Sequence, residues 1–216
     1  MSYNKPRHHP TSGVVMALLL VAPLLLGLSA PAAPQLTADE EQKLATSRSI
    51  VIHPSLPSEH PDRVRARAIA EIDASPAVVW EELLNFQARI AENGPLKRVT
   101  IYEDAWLGPR LERKARWELQ ILGHKINLYC RYEHDRDQSY LEWTLDTEQK
   151  SDVIYSWGSY QVFPSRLHPG KSRLVYTSES FSGVRLPHWL NRRIAVRGLN
   201  GVIGGVRRRA EQAAAR

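Results

Sequence analysis

The sequence predicts an α+β fold: a curved antiparallel sheet of about seven strands closed by one long C-terminal helix, with two short helices after the first strand. Three observations carry that expectation. From about residue 99 to 181, successive stretches alternate apolar and polar side chains, with too little chain between them for a crossover helix, which makes them antiparallel neighbours. From Pro187 to near Ala213, apolar residues recur at helical spacing over about 25 residues, long enough to cross a whole sheet. A sheet and a helix that each carry one apolar face must bury those faces against each other.

The elements follow in chain order. Residues 14–28, VVMALLLVAPLLLGL, are uncharged and apolar, follow Lys5 and Arg7, and lead into the small residues Ser29-Ala-Pro-Ala-Ala33, which is the plan of a secretory signal peptide. As a helix this run reaches only about 22 Å, short of a hydrocarbon core of about 30 Å, and Pro23 interrupts it. Cleavage after Ala32 places small side chains at Ala30 and Ala32, and the competing reading is a retained N-terminal anchor. Export is therefore expected, and His8 and His9 fall in the leader rather than in a metal site. Thr37-Ala-Asp-Glu40 forms a capping box for a short helix from about 38 to 47, with too little apolar surface for a core element. Pro54, Pro57 and Pro61 mark an extended linker whose Ile50-Val-Ile52 is suited to adding at a sheet edge. The chain thus divides into a leader or anchor (1–32), a short helix with a linker (33–62) and a folded domain (63–216).

Within that domain, Val64, Ala66, Ala68, Ala70 and Ile72 alternate with polar residues as a half-buried strand. Ser75-Pro76 supplies an N-cap and a first-turn proline for a helix that presents Val79, Trp80, Leu83 and Leu84 on one face. Phe86 and Ile90 continue it in a second short turn, which Glu92-Asn-Gly-Pro95 ends. Strands are expected at 99–105, at 111–121 with Leu111, Arg113, Ala115, Trp117 and Leu119 on one face, at 126–132, at 141–145, near 153–163 and at 173–181. The turn His168-Pro-Gly170 joins the last two.

Composition narrows the function classes. Hydrophobic content of 43% with 24% charged residues is ordinary for a globular chain. The excess of 29 Lys and Arg over 23 Asp and Glu sits at the two ends, and residues 184–216 carry eight arginines against Glu211 alone. The single cysteine, Cys130, excludes an intramolecular disulfide, a CxxC pair and a multi-thiolate zinc site, and its place in an alternating strand makes it a core thiol. His124, His134, His168 and His188 lack ligand spacing, and neither HExxH, GxSxG nor a glycine-rich phosphate loop is present. Gly201-Val-Ile-Gly204 lies within the helical pattern and follows no strand, so it is not a dinucleotide fingerprint. No metal, no cofactor and no nucleic-acid partner is expected.

Three stretches, taken together, resemble a known superfamily. They are Ile69-Ala-Glu-Ile-Asp-Ala-Ser-Pro-Ala-Val-Val-Trp80, Trp157-Gly-Ser-Tyr-Gln-Val-Phe-Pro164 with Ser172-Arg-Leu-Val-Tyr176, and Leu186-Pro-His-Trp-Leu190. Their order and spacing over about residues 63–213 resemble the START-like (SRPBCC) superfamily, in particular its polyketide-cyclase and coenzyme-Q-binding branch. The resemblance implies a helix-grip fold that holds a lipid, quinone or polyketide in a tunnel beneath the last helix. That superfamily has no universal catalytic motif, so the resemblance assigns no catalytic residue.

Candidate site residues each have two readings. Arg113, on an apolar strand face, either binds a polar ligand head group or pairs with an acid on a neighbouring strand. Trp117, Tyr132, Trp143, Tyr155 and Trp157 line a pocket or form core, two roles that overlap in this fold. Gly198 and Gly201, with Gly204 and Gly205, cost the helix about 0.5–1 kcal/mol each relative to alanine, so they either leave ligand room or mark a tolerated kink. Arg207, Arg208 and Arg209, with Arg192, Arg193 and Arg197, either meet an anionic membrane surface or form a solvated face that complements the helix dipole. The sequence is read as an exported domain that binds a hydrophobic small molecule without catalysis. The alternatives are a cyclase or aromatase built on Arg113, His134 and the tyrosines, and a membrane-peripheral interaction protein. Export makes a direct prediction: cell fractionation with N-terminal sequencing finds a chain about 32 residues shorter than the translated one outside the cytosol. A full-length cytosolic product would refute it.

Overall fold

In the computed structural model, which describes residues 34–47, 50–90, 95–121, 123–183 and 187–216, eight strands form one antiparallel sheet. The leader expected within residues 1–32, and Leu186 of the third motif, lie outside the described residues. The strands are β1 (Val51–Leu56), β2 (Val64–Ile72), β3 (Leu96–Leu107), β4 (Arg110–Ile121), β5 (His124–Asp135), β6 (Tyr140–Leu145), β7 (Tyr155–Pro164) and β8 (Ser172–Phe181). Their order across the sheet is β1-β2-β8-β7-β6-β5-β4-β3, so the strand that opens the domain pairs with the last one. The helices are α1 (Ala38–Ser47), α2 (Pro76–Leu84), followed by a 3-10 turn at Gln87–Arg89, and α3 (His188–Ala214).

The edge addition foreseen at Ile50-Val-Ile52 extends to Leu56 and brings the count to eight strands. Proline is tolerated on such an edge, and the register of β1 shifts between His53 and Leu56, where Pro54 lies. The capping box forms as read: the Thr37 backbone N–H donates to Glu40 Oε2 at 2.9 Å, and the Glu40 N–H donates to Thr37 Oγ1 at 3.3 Å. Those bonds hold the Glu40 carboxyl below its ordinary range.

The expectation that α1 adds nothing to a core is corrected. Leu44 is fully buried against Val51, Ile69 and Val175 on the outer face of the sheet, a small second core. An ion triad seals it. Arg173 donates to Glu71 at 2.6 Å and, through both Nη atoms, to Glu41 of α1 at 2.7 Å. Glu71 is buried, and a buried carboxylate is tolerable only when paired, because stranding one costs about 3–5 kcal/mol. This cover explains why the second half of β2 is buried on both faces.

The principal core lies on the other face. Leu199, Ile203, Val206 and Ala210 of α3 are buried in one cluster with Ala66, Ala68 and Ala70 of β2. Helix α3 packs chiefly on β2 and α2, and hardly at all on the middle of the sheet. Val79, Leu83 and Phe86 close the same core from α2 and the turn after it. No helix among the described residues is long and apolar enough to cross a membrane.

Candidate functional site

Between α3 and the part of the sheet it does not touch lies a cavity of about 320 Å³. Its wall follows from strand alternation and register. Trp117 faces inward from β4, Leu128 and Tyr132 from β5, Trp143 from β6, Ser156 and Tyr160 from β7, and Tyr176 and Ser178 from β8. The rings run across the sheet as a continuous band. Phe86 meets Tyr132 at 4.7 Å between centroids, Tyr132 meets Trp143 at 6.2 Å, Trp143 meets Tyr160 at 5.3 Å, and Tyr160 stacks on Tyr176 at 4.7 Å. Tilted and offset ring pairs of this kind add about 0.5–1.5 kcal/mol each beyond their buried area. On the helix side the cavity is closed by Gly201, Val202, Val206 and Arg209.

Of the sequence-read ring set, Trp117, Tyr132 and Trp143 line the cavity, whereas Tyr155 and Trp157 do not. The alternation of β7 turns Ser156, Gly158 and Tyr160 inward and sends Tyr155 and Trp157 to the outer face. There Arg63 lies over the Tyr155 ring at 3.5 Å and Arg65 over Trp157 at 5.4 Å. The inner position must be small because Trp143, opposite Gly158, lays its ring on it. A Cβ at Gly158 would collide with that ring.

Arg113 takes its structural reading. Its Nε and Nη2 donate to Asp104 at 3.1 and 3.0 Å, and Nη1 donates to the Leu84 carbonyl at 2.8 Å, which removes it from the cavity. Gly201 stands at the cavity edge with open space where a Cβ would be, while Gly198, nearly one turn earlier and also exposed, does not line the cavity. Arg209 turns inward rather than to a membrane: its Nε donates to Glu82 Oε2 at 2.8 Å and its Nη2 to the Glu82 carbonyl at 3.2 Å, tying α3 to α2. Arg208 is exposed and Arg207 is half-buried. Cys130 is fully buried, and burial pushes its thiol up to about 12. Among the described residues no group of three or more His, Cys, Asp or Glu side chains is placed to hold a metal.

Arg89, Tyr160 and Tyr176 escaped sequence reading. Counting in steps of two from Gly158 would have found Tyr160, and the β7–β8 register then brings in Tyr176. Arg89 carried no signal, because the turn after α2 has no period to follow. It is half-buried beneath three rings, with its Cζ 4.9 Å from the Phe86 centroid, 5.5 Å from Trp117 and 5.4 Å from Tyr160. Burial also holds the Tyr132 and Tyr176 hydroxyls well above the ordinary phenol range, so both remain protonated donors at neutral pH.

No family model and no curated protein matches this sequence. Solved structures do match. A START superfamily protein from Mycobacterium smegmatis superposes with a TM-score of 0.57 at 16% identity, over 69% of this chain and 98% of that one. The Zhui aromatase/cyclase from Streptomyces sp. R1128 gives 0.53 at 16%, over 69% and 94%. A STAR-related lipid transfer protein from Xanthomonas axonopodis gives 0.53 at 10%, over 73% and 98%. Similarity at these identities establishes the fold: this chain has the START-like fold.

His134 lies outside the cavity. It is buried between Trp80, 4.4 Å away, and Trp106, and its Nδ1–H donates to the Tyr140 carbonyl at 3.0 Å. Burial lowers its pKa below the ordinary 6.5. The unfolded chain therefore takes up a proton near 6.5 while the folded chain resists it, and stability is lost as pH falls below that value. The stability difference between the parent and His134→Gln, from urea unfolding, is expected to shrink between pH 7.5 and pH 5. A difference independent of pH would contradict this assignment.

Proposed function

We propose that this chain binds a hydrophobic small molecule, such as a lipid, quinone or polyketide-like compound, in the cavity beneath α3 and does not transform it. The observation that carries the reading is the aromatic band, an apolar wall with a few fixed donors beneath a helix that leaves Gly201 bare at the cavity edge. At about 320 Å³ the volume sits at the lower end of ligand cavities, which favours a single acyl chain or a small ring system over a two-chain lipid. The lipid-transfer description of one similar structure points the same way, and the aromatase/cyclase description of another points to the enzymatic alternative. Against that alternative stand the lining groups themselves: Tyr132 and Tyr176 stay protonated, Arg209 is paired, and the Glu179 carboxylate pairs with Arg63, Arg65 and Ser58. A general base needs an ionisable group poised near the working pH. We further infer that the domain acts after export, with residues 1–32 as signal peptide or retained anchor.

A second reading, contact with an anionic membrane surface, is favoured by the first half of α3 rather than by Arg209. Trp189 and Ile194 are 65% and 55% exposed there, among Arg192, Arg193 and Arg197. Those arginines have no carboxylate partner among the described residues, and the first turn of α3 contains no acid. Exposed cations beside exposed apolar side chains suit an anionic lipid surface.

Two measurements check these readings. Gly201→Leu is expected to fold with a melting temperature equal to or above the parent's, since leucine is the better helix former, and to bind a neutral apolar dye about tenfold or more weakly, because leucine reaches across the opening. A variant that melts markedly lower and still binds the dye as the parent does would contradict the cavity reading. Vesicle sedimentation is expected to require anionic lipid, to weaken with salt and to be lost in Arg192→Ala/Arg193→Ala/Arg197→Ala. Binding indifferent to lipid charge and to salt would remove the membrane reading.

A further inference from the structure

We infer that the ligand of this cavity is an acidic amphiphile, an apolar body ending in a carboxylate that Arg89 and Trp117 recognise. The inference rests on the binding reading above and adds the chemistry of the ligand's polar end.

Two side chains that line the cavity each carry an enclosed hydrogen-bond donor that is left unmet. Arg89 Nε and Trp117 Nε1 are both buried from solvent and have no partner among the described residues. A buried donor without an acceptor is costly, and native folds rarely leave one unexplained. Here two belong to neighbouring side chains that line the same cavity, with the guanidinium carbon 5.5 Å from the Trp117 ring. Both are donors only, so what satisfies them must be an acceptor.

The charge of Arg89 sharpens the class. Arg113 has Asp104, Arg173 has Glu71 and Glu41, and Arg209 has Glu82. Arg89 has no such acid. Its Nη2 donates to the Leu83 carbonyl, and its Nη1 reaches the Tyr160 hydroxyl only at 3.5 Å, the limit of a hydrogen bond. The surrounding rings of Phe86, Trp117 and Tyr160 favour a cation, yet they offer no anion in return. A guanidinium with spare donors in an apolar surrounding suits a planar oxyanion, which it binds more strongly there than in water. The remaining lining, Trp143, Val153, Val202 and Val206, suits an apolar body.

Competition against Nile red, an uncharged dye, tests this on the full chain at pH 8. Dodecanoate is expected to displace the dye roughly ten- to hundredfold more tightly than dodecanol of the same length, with dodecylamine weakest. Arg89→Gln is expected to bring dodecanoate and dodecanol to parity, and Trp117→Phe to reduce the preference in part. Equal affinity for acid and alcohol in the parent, or a carboxylate preference that survives Arg89→Gln in a folded protein, would overturn the inference. Should Arg89→Gln fail to fold, the ranking of the three dodecyl compounds on the parent and on Trp117→Phe decides it. A dye that binds while the head groups are not distinguished removes this inference alone, and a chain that takes up no dye removes the binding reading with it.

Discussion

The seat of α3 on β2 decides where this protein keeps its empty space. Ala66, Ala68 and Ala70 present almost no side chain, so Leu199, Ile203, Val206 and Ala210 pack directly onto that end of the sheet. The strands beyond it carry Trp117, Tyr132, Trp143, Tyr160 and Tyr176 on the same face. One helix seated on alanines cannot also lie on that band of rings, because bulky side chains hold its backbone off. Close packing on one side and separation on the other together make a cavity rather than a continuous core. Arg209 fixes the geometry from the far end of the helix by gripping both the side chain and the carbonyl of Glu82 in α2.

Electrostatics follow the same division. Three arginines that join separate elements each have an acid: Asp104 for Arg113, the Glu71 and Glu41 pair for Arg173, Glu82 for Arg209. Such pairs offset the desolvation of both partners and fix how elements dock, here α1 to the outer face and α3 to α2. Arg89 stands apart, with rings for neighbours and a donor unmet. In the first half of α3, Arg192, Arg193 and Arg197 lie beside exposed Trp189 and Ile194.

Much of the fold was legible because periodicity reports burial. The alternation along β2 and β4, the Ser75-Pro76 start of α2 and the length of α3 were all readable, and so was the capping box of α1. Failures arose where two periodic elements meet. Alternation along β7 does not say which of its two sets faces inward, and choosing the larger rings, Tyr155 and Trp157, gave the wrong phase, since Trp143 from β6 already fills the space over Gly158. Arg113 was readable as an inward charge, but its partner required the register of β3 against β4. Leu44 is one buried residue in a polar helix, too few for a pattern, and its value comes from Val51, Ile69 and Val175, all distant in sequence. Arg89 sits in an aperiodic turn, so only the assembled fold reveals its surroundings.

The central claim is that the space beneath α3 is a binding site, and the most direct measurement is native mass spectrometry of the chain isolated from its own source, followed by solvent extraction of whatever it carries. The expected result is one apolar compound per chain, released on unfolding. A chain that is repeatedly isolated empty, and that gains no mass when offered apolar compounds of matching size, would contradict the claim and leave the aromatic band as core alone.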